Sequence, residues 1–279
     1  MNIWYSLWDM LPFEIFHWNF MKNALLAALI MAPLFGMCST MVVTGKMSFF
    51  SDALGHSAFT GIAIGSICGL ADPTWMSVVF AVVLSVLFSF VKSRSNQSAD
   101  TIIGVFSSTA VALGIFIATL GGSSFTKYNR YLIGDLLSVT PGQIGLLAIV
   151  FLAVLLFWLF LSNRLILSAM HPQLASSRGI PVALLQGAFT ALIAVVVTLA
   201  ISWVGLLIIN SLLVLPGAAA RNVSKNLKQY HLFSVIFALV SCILGLILSY
   251  ALGASAGAAI CLVLAVIFAV SFLLRKVCR

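Results

Sequence analysis

Apolar runs as long as a membrane is thick recur from residue 20 to residue 274, broken only by short islands of polar residues, glycine and proline. A helix rises about 1.5 Å per residue, so crossing the hydrocarbon core of a bilayer takes about 20 mostly apolar residues. Runs of that kind lie near 20–42, 49–70, 74–91, 101–121, 143–162, 182–201, 204–220, 232–250 and 255–274. A water-soluble fold is excluded, because 62% of the residues are hydrophobic and only 7% charged, against about 25% charged in soluble domains. The expected fold is all-α, a polytopic transmembrane helical bundle of about nine spans, with eight to ten as the range. It occupies residues 19–279 as one membrane domain.

Residues 1–18 have a different composition. Trp4, Tyr5, Trp8, Phe13, Phe16 and Trp18 stand among a few polar residues, which suits a segment lying among lipid headgroups rather than crossing. Asp9 and Glu14 precede the first cation, Lys22, an order of charges wrong for a cleaved secretory signal. Cys38, Cys68, Cys242 and Cys261 fall in apolar runs and Cys278 in the tail, without a CxxC pair, so free thiols are expected.

The net charge of +8 does not mark a nucleic-acid binder, since the basic residues form short islands rather than one face. They orient the chain instead. With the carboxy terminus inside, the cytoplasmic islands hold Lys46, Lys92, Arg94, Arg164, Arg178, Arg221, Lys225, Lys228, Arg275, Lys276 and Arg279, 11 of the 14 lysines and arginines. That bias is the positive-inside pattern, and an odd number of spans then puts the amino terminus outside. Trp75 and Trp203 fall near the outer boundary and Trp158 toward the inner one. The segment 122–142, with Lys127 and Arg130, either joins two spans outside or dips back into the membrane.

A carboxylate inside the hydrocarbon costs about 2.5–3.5 kcal/mol on insertion scales, so an intramembrane acid is a candidate for function. Asp52 is the acid best placed within a run, and His56, four residues on, is the only histidine in any of the runs above. On a helix the two share a face. Asp52, His56 and Thr60 form one polar stripe, and Ala53, Ser57, Gly61, Gly65 and Gly69 form a stripe of small residues suited to close helix packing. Carboxylate oxygen with imidazole nitrogen suits zinc or manganese, and the lack of thiolates argues against copper(I). Two ligands are too few for a tight site, whereas a two-fold dimer with this helix at its axis offers four. The plainer alternative is that Asp52 and His56 bond each other, or that Asp52 caps its helix.

The stretch Lys46-Met47-Ser48-Phe49-Phe50-Ser51-Asp52-Ala53-Leu54-Gly55-His56 resembles the motif of zinc and manganese ABC permeases. Asn210-Ser211-Leu212-Leu213-Val214-Leu215-Pro216-Gly217-Ala218-Ala219-Ala220 is similar to a second segment of that family. His171-Pro172-Gln173-Leu174-Ala175-Ser176-Ser177-Arg178-Gly179-Ile180 resembles its cytoplasmic coupling loop, with Gln173 where relatives carry an acid. The resemblance implies a permease subunit in a prokaryotic cell membrane, moving zinc or manganese by ATP-driven alternating access. Asp52 and His56 match the family's metal positions. Pro172, Gln173, Leu174, Ala175 and Gly179, in a loop near 163–181, match the ATPase-docking positions. It also implies a homodimer, a separate ABC ATPase that holds the ATP, an extracytoplasmic metal-binding protein, surrounding membrane lipid and no permanently bound cofactor.

Other functions fit less well. No G-x-x-x-x-G-K-[ST] phosphate loop exists, so hydrolysis of ATP would fall to another chain. Gly253-Ala254-Ser255-Ala256-Gly257 matches G-x-S-x-G, but that motif needs a strand and a sharp turn before its helix. Ile133-Gly134-Asp135 is a faint match to membrane aspartyl proteases. A secondary metal transporter or channel would also hold polar residues in its spans, although Asp52 and His56 make a thin relay. An ABC permease for a metal chelate would need a wider cavity.

Overall fold

The computed structural model describes residues 18–70, 72–120 and 136–278, and among these it is helical, without strands. The amino-terminal aromatic segment up to residue 17 lies outside the described residues, as do Lys127, Arg130 and Asp135. In chain order the helices are α1 (Asn19–Thr44), α2 (Phe50–Ile67), α3 (Thr74–Arg94), α4 (Ala99–Leu120), α5 (Pro141–Met170), α6 (Pro172–Ser177), α7 (Val182–Val204), α8 (Leu206–Val223), α9 (Leu227–Leu252) and α10 (Ala256–Cys278), with one 3-10 turn at Leu136–Ser138.

Eight of these are long and apolar enough to cross a membrane. The other long helix is α2, whose 18 residues include Asp52, His56 and several serines and glycines. At about 1.5 Å per residue it is about 27 Å long, close to the thickness of the hydrocarbon core. The protein is a multi-pass membrane protein.

Two helices start or stop elsewhere than the apolar runs suggest. α5 continues past residue 162 to Met170 because neither glycine nor proline interrupts residues 146–171, so the first part of the expected 163–181 loop is helix. α9 begins at Leu227 rather than 232. Asn226 caps it by accepting from the Gln229 amide at 2.9 Å, while the Gln229 side chain accepts from the Lys225 amide at 3.0 Å. The Asn226 cap satisfies one amide that the helix start leaves orphaned, and the Gln229 side chain ties down the residue before the cap. It draws His231 into a span-length helix, so His56 is not the only histidine on such a helix.

Two compact units emerge among the described residues. One draws on Met41–Gly134 and Leu156–Ser202, the other on Met1–Thr40, Asp135–Leu155 and Trp203–Arg279. In the first, α2 packs on both α3 and α4. Gly61 sets the approach to α3: a Cβ there would lie 2.3 Å from the Ser77 Cα. On the α4 side, Phe59, Ile62 and Ala63 bury against Ala118. Phe50 packs at a tilt against Phe88 at 5.0 Å between ring centroids, and Phe88 meets Phe106 edge-on.

In the second unit α8 packs on α9 and α10. Gly257 lies against Ile208, where a Cβ would come within 2.9 Å of a side-chain carbon, and Gly245 lies against the Ile260 backbone. Polar side chains stitch the remaining contacts, the expected role of serine and threonine between apolar helices. Ser234 donates to the Gly36 carbonyl at 2.6 Å, Tyr230 to the Thr40 carbonyl at 3.1 Å, and Asn222 to Ser271 at 3.1 Å.

Candidate functional site

α2 carries the Asp52–His56 pair. The chain enters it through a tight turn in which Gly45 donates to the Met41 carbonyl at 2.8 Å, Met47 donates to the Val42 carbonyl at 3.0 Å, and Lys46 takes the left-handed conformation at φ 53. That turn places Asp52 in the first turn of α2, where the helix dipole favours a negative charge. His56 follows one turn on, and its Nε2 lies 3.5 Å from Asp52 Oδ2.

Most of α2 is covered. Of its 18 residues 13 are buried, including Ser51, Ala53, Leu54, Ser57 and Gly61, so the side chains left on its open strip are few. Asp52 and His56 are two of them, with side chains 48% and 36% exposed. Thr60 is not part of that strip. It is fully buried and donates to the Ala110 carbonyl of α4. The small-residue stripe splits as well, with Gly61 and Gly65 at close contacts and Gly69 beyond the helix end at φ 69 with nothing near it.

What α2 presents is therefore one carboxylate and one imidazole, an oxygen and a nitrogen donor within a few ångströms. Among the described residues no group of three or more His, Cys, Asp or Glu side chains is placed to hold a metal ion. Two donors are fewer than a tight metal site takes.

The expected docking segment is built differently. His171 precedes Pro172 at the first position of α6, a site where proline loses no helical hydrogen bond. Gly179 closes the helix at φ 72, with its amide on the Ser176 carbonyl at 2.9 Å and the Ile180 amide on the Ala175 carbonyl at 3.1 Å. Pro172, Gln173, Leu174 and Gly179 are exposed, while Ala175 is fully buried. The segment is thus a short helix held inward by Ala175 with a mixed apolar and polar outer face.

The model of the ABC 3 transport family matches residues 17–275. The chain belongs to that family. Among members of known name, it is 30% identical over 216 residues to the manganese import system permease protein ScaB of Streptococcus parasanguinis, covering 77% of this chain and 76% of that one. It is 29% identical over 202 residues to the high-affinity zinc uptake system membrane protein ZnuB of Haemophilus influenzae, covering 72% and 77%. Among solved structures, PsaBC from Streptococcus pneumoniae in complex with Fab aligns with a TM-score of 0.77 at 29% identity over 91% of each chain.

In this ABC 3 chain the second sequence match, residues 210–220, falls on α8, where its small residues have a packing role. A Cβ on Gly217 would lie 2.6 Å from Ser39 Oγ and 2.8 Å from the Ser39 carbonyl oxygen, and the Gly217 amide donates to that hydroxyl at 2.9 Å. One polar contact was not legible in the apolar runs. Thr40 spends its hydroxyl proton on the Met37 carbonyl at 2.7 Å, which leaves a lone pair for Nδ1–H of His231 at 2.8 Å. The Asn226 cap is the signal that would have placed His231 on a helix. The G-x-S-x-G match lies where α9 ends at left-handed Gly253 and α10 begins at Ala256, with helix rather than strand before it.

Proposed function

We propose that the chain is the permease subunit of an ATP-driven importer of a divalent transition metal, zinc or manganese, with residues 19–279 forming its membrane domain. The observation that carries this reading is the Asp52–His56 pair, set on the open strip of an otherwise buried helix in an ABC 3 family member. Relatives named for zinc and for manganese import support the cargo class. Both ions accept oxygen and nitrogen ligands, and the donor set does not select between them.

The working unit under this reading is a homodimer, since two copies of α2 bring two carboxylates and two imidazoles to one path. An extracytoplasmic metal-binding protein delivers the ion, and a separate ABC ATPase supplies hydrolysis. Half-exposed ligands hold the ion loosely enough to pass it on. ATP-driven movement enters through α6, where Pro172, Gln173, Leu174 and Gly179 meet the ATPase and buried Ala175 ties that contact to the membrane helices.

Liposomes containing the permease with its ATPase, and the binding protein outside, test the proposal. ATP inside should drive accumulation of radiolabelled zinc or manganese, each assayed alone. Accumulation of neither ion above the ATP-free level would remove the assignment. A docking test is separate: Leu174→Glu places a charge where an apolar anchor meets the ATPase. It should weaken copurification of the ATPase by about 2 kcal/mol, the scale of an interface anchor, without changing permease abundance. Undiminished copurification would place the contact elsewhere.

A further inference from the structure

The ends of α1, α3 and α5, the start of α7 and Pro172 of α6 surround a cavity of about 430 Å³ that contains neither Asp52 nor His56. Its size lies within the range of about 300–1,000 Å³ typical of small-molecule sites. α3 contributes Ser89, Lys92 and Ser93, α5 contributes Ser168, and α7 contributes Gln186. Met41, Met47, Leu165 and Phe189 supply an apolar wall. Among the described lining residues there is no carboxylate, so Lys92 brings a positive charge that nothing in the lining neutralises. Its ammonium lies 5.9 Å from the ring centroid of buried Phe88, a weak attraction and not a counter-charge.

The neutral polar groups narrow the occupant further. Ser93 donates to the Phe90 carbonyl at 2.8 Å and Ser168 to the Leu165 carbonyl at 2.7 Å, and Gln186 Nε2 donates to the Ser168 carbonyl at 3.2 Å. Both hydroxyl protons and one of the two Gln186 N–H groups are committed within the protein, while both hydroxyl oxygens and the Gln186 amide oxygen keep acceptor capacity. A cation beside several acceptors and an apolar wall fits an anion that carries its own hydroxyl donors. Lys92 also belongs to a basic island expected on the cytoplasmic side, where the membrane surface is anionic and basic pockets between helices take lipid headgroups.

We propose that this cavity binds a hydroxyl-bearing phosphate ester, with the phosphate on Lys92 and the hydroxyls on Ser93, Ser168 and Gln186. The headgroup of phosphatidylglycerol from the inner leaflet and a soluble glycerol phosphate are two sources of that chemistry. Phe88, beneath Lys92, packs against Phe50 in the first turn of α2. The occupant is therefore one aromatic ring away from the helix that bears Asp52.

Phosphorus NMR line broadening on the full-length permease in detergent, without metal or nucleotide, tests the site independently of transport. Short-chain phosphatidylglycerol, short-chain phosphatidylcholine and glycerol 3-phosphate are titrated separately. Saturable binding of phosphatidylglycerol, weakened about tenfold or more by Lys92→Met and kept by Lys92→Arg, is the expected result. Arg94→Met, which removes the exposed cation two residues on, should leave it unchanged. Glycerol 3-phosphate binding with the same Lys92 dependence, and without phosphatidylglycerol binding, keeps the anion site and assigns it a soluble ligand. Phosphatidylglycerol and phosphatidylcholine binding alike with no soluble-ester binding, or a Lys92→Met variant that binds as wild type does, overturns the proposal.

Discussion

Asp52→Ala and His56→Ala should each reduce metal uptake by more than about tenfold while leaving the protein in the membrane at normal abundance. The size follows from the donor count. Disturbing even a partner that orients a metal ligand costs about 10–100-fold, and in a homodimer each substitution removes two of four donors. The fold should survive because both side chains are half exposed, so truncation opens no core cavity. Losing the favourable charge at the start of α2 costs about 0.3–1 kcal/mol, too little to unfold the helix. Asp52→Asn sharpens the test, since it keeps the shape and removes only the charge. Uptake by metal-starved cells, normalised to membrane abundance, is the measurement. Normal uptake in both alanine variants would mean that the 3.5 Å contact is a structural pairing and that the ion takes another route.

How far such a site is visible in sequence depends on which physical term decides each residue's place. Apolar length alone is enough for most spans, because a bilayer leaves a segment of about 20 apolar residues few alternatives to a helix. α2 is harder, since its polar content keeps it from qualifying by hydropathy, yet its motif and four-residue spacing mark Asp52 and His56. Spacing then misleads one turn later. Eight residues carry a helix about 80° past its starting direction, which turns Thr60 from the strip of Asp52 onto α4, where it bonds Ala110. Helix ends depend on caps rather than on hydropathy, so the Asn226 cap and the uninterrupted run to Met170 shift α9 and α5 from the boundaries that apolar composition suggests. The burial of Ala175 is a tertiary fact that a six-residue helix does not announce.

The largest effect on folding should come from a position with no chemistry at all. A Cβ on Gly61 would lie 2.3 Å from the Cα of Ser77 and 2.9 Å from its nitrogen, so the obstacle is the backbone of α3 rather than a side chain that can swing aside. Gly61→Ala must push α2 and α3 apart, and forcing extra atoms into a packed contact costs about 1–3 kcal/mol. Gly61→Leu should exceed that and leave little folded protein in the membrane. Gly104 on α4 provides the contrast, because a Cβ there meets nothing within 4 Å. Gly104→Ala should leave stability unchanged or raised, as alanine is the better helix former. Thermal unfolding of the purified permease reads both: a lower midpoint for Gly61→Ala with none for Gly104→Ala is expected. Equal midpoints for Gly61→Ala and wild type would mean that α2 and α3 are not in backbone contact. It would also remove the reason the Asp52–His56 strip is the open side of α2, since closure of the other sides by α3 and α4 is what leaves that strip uncovered.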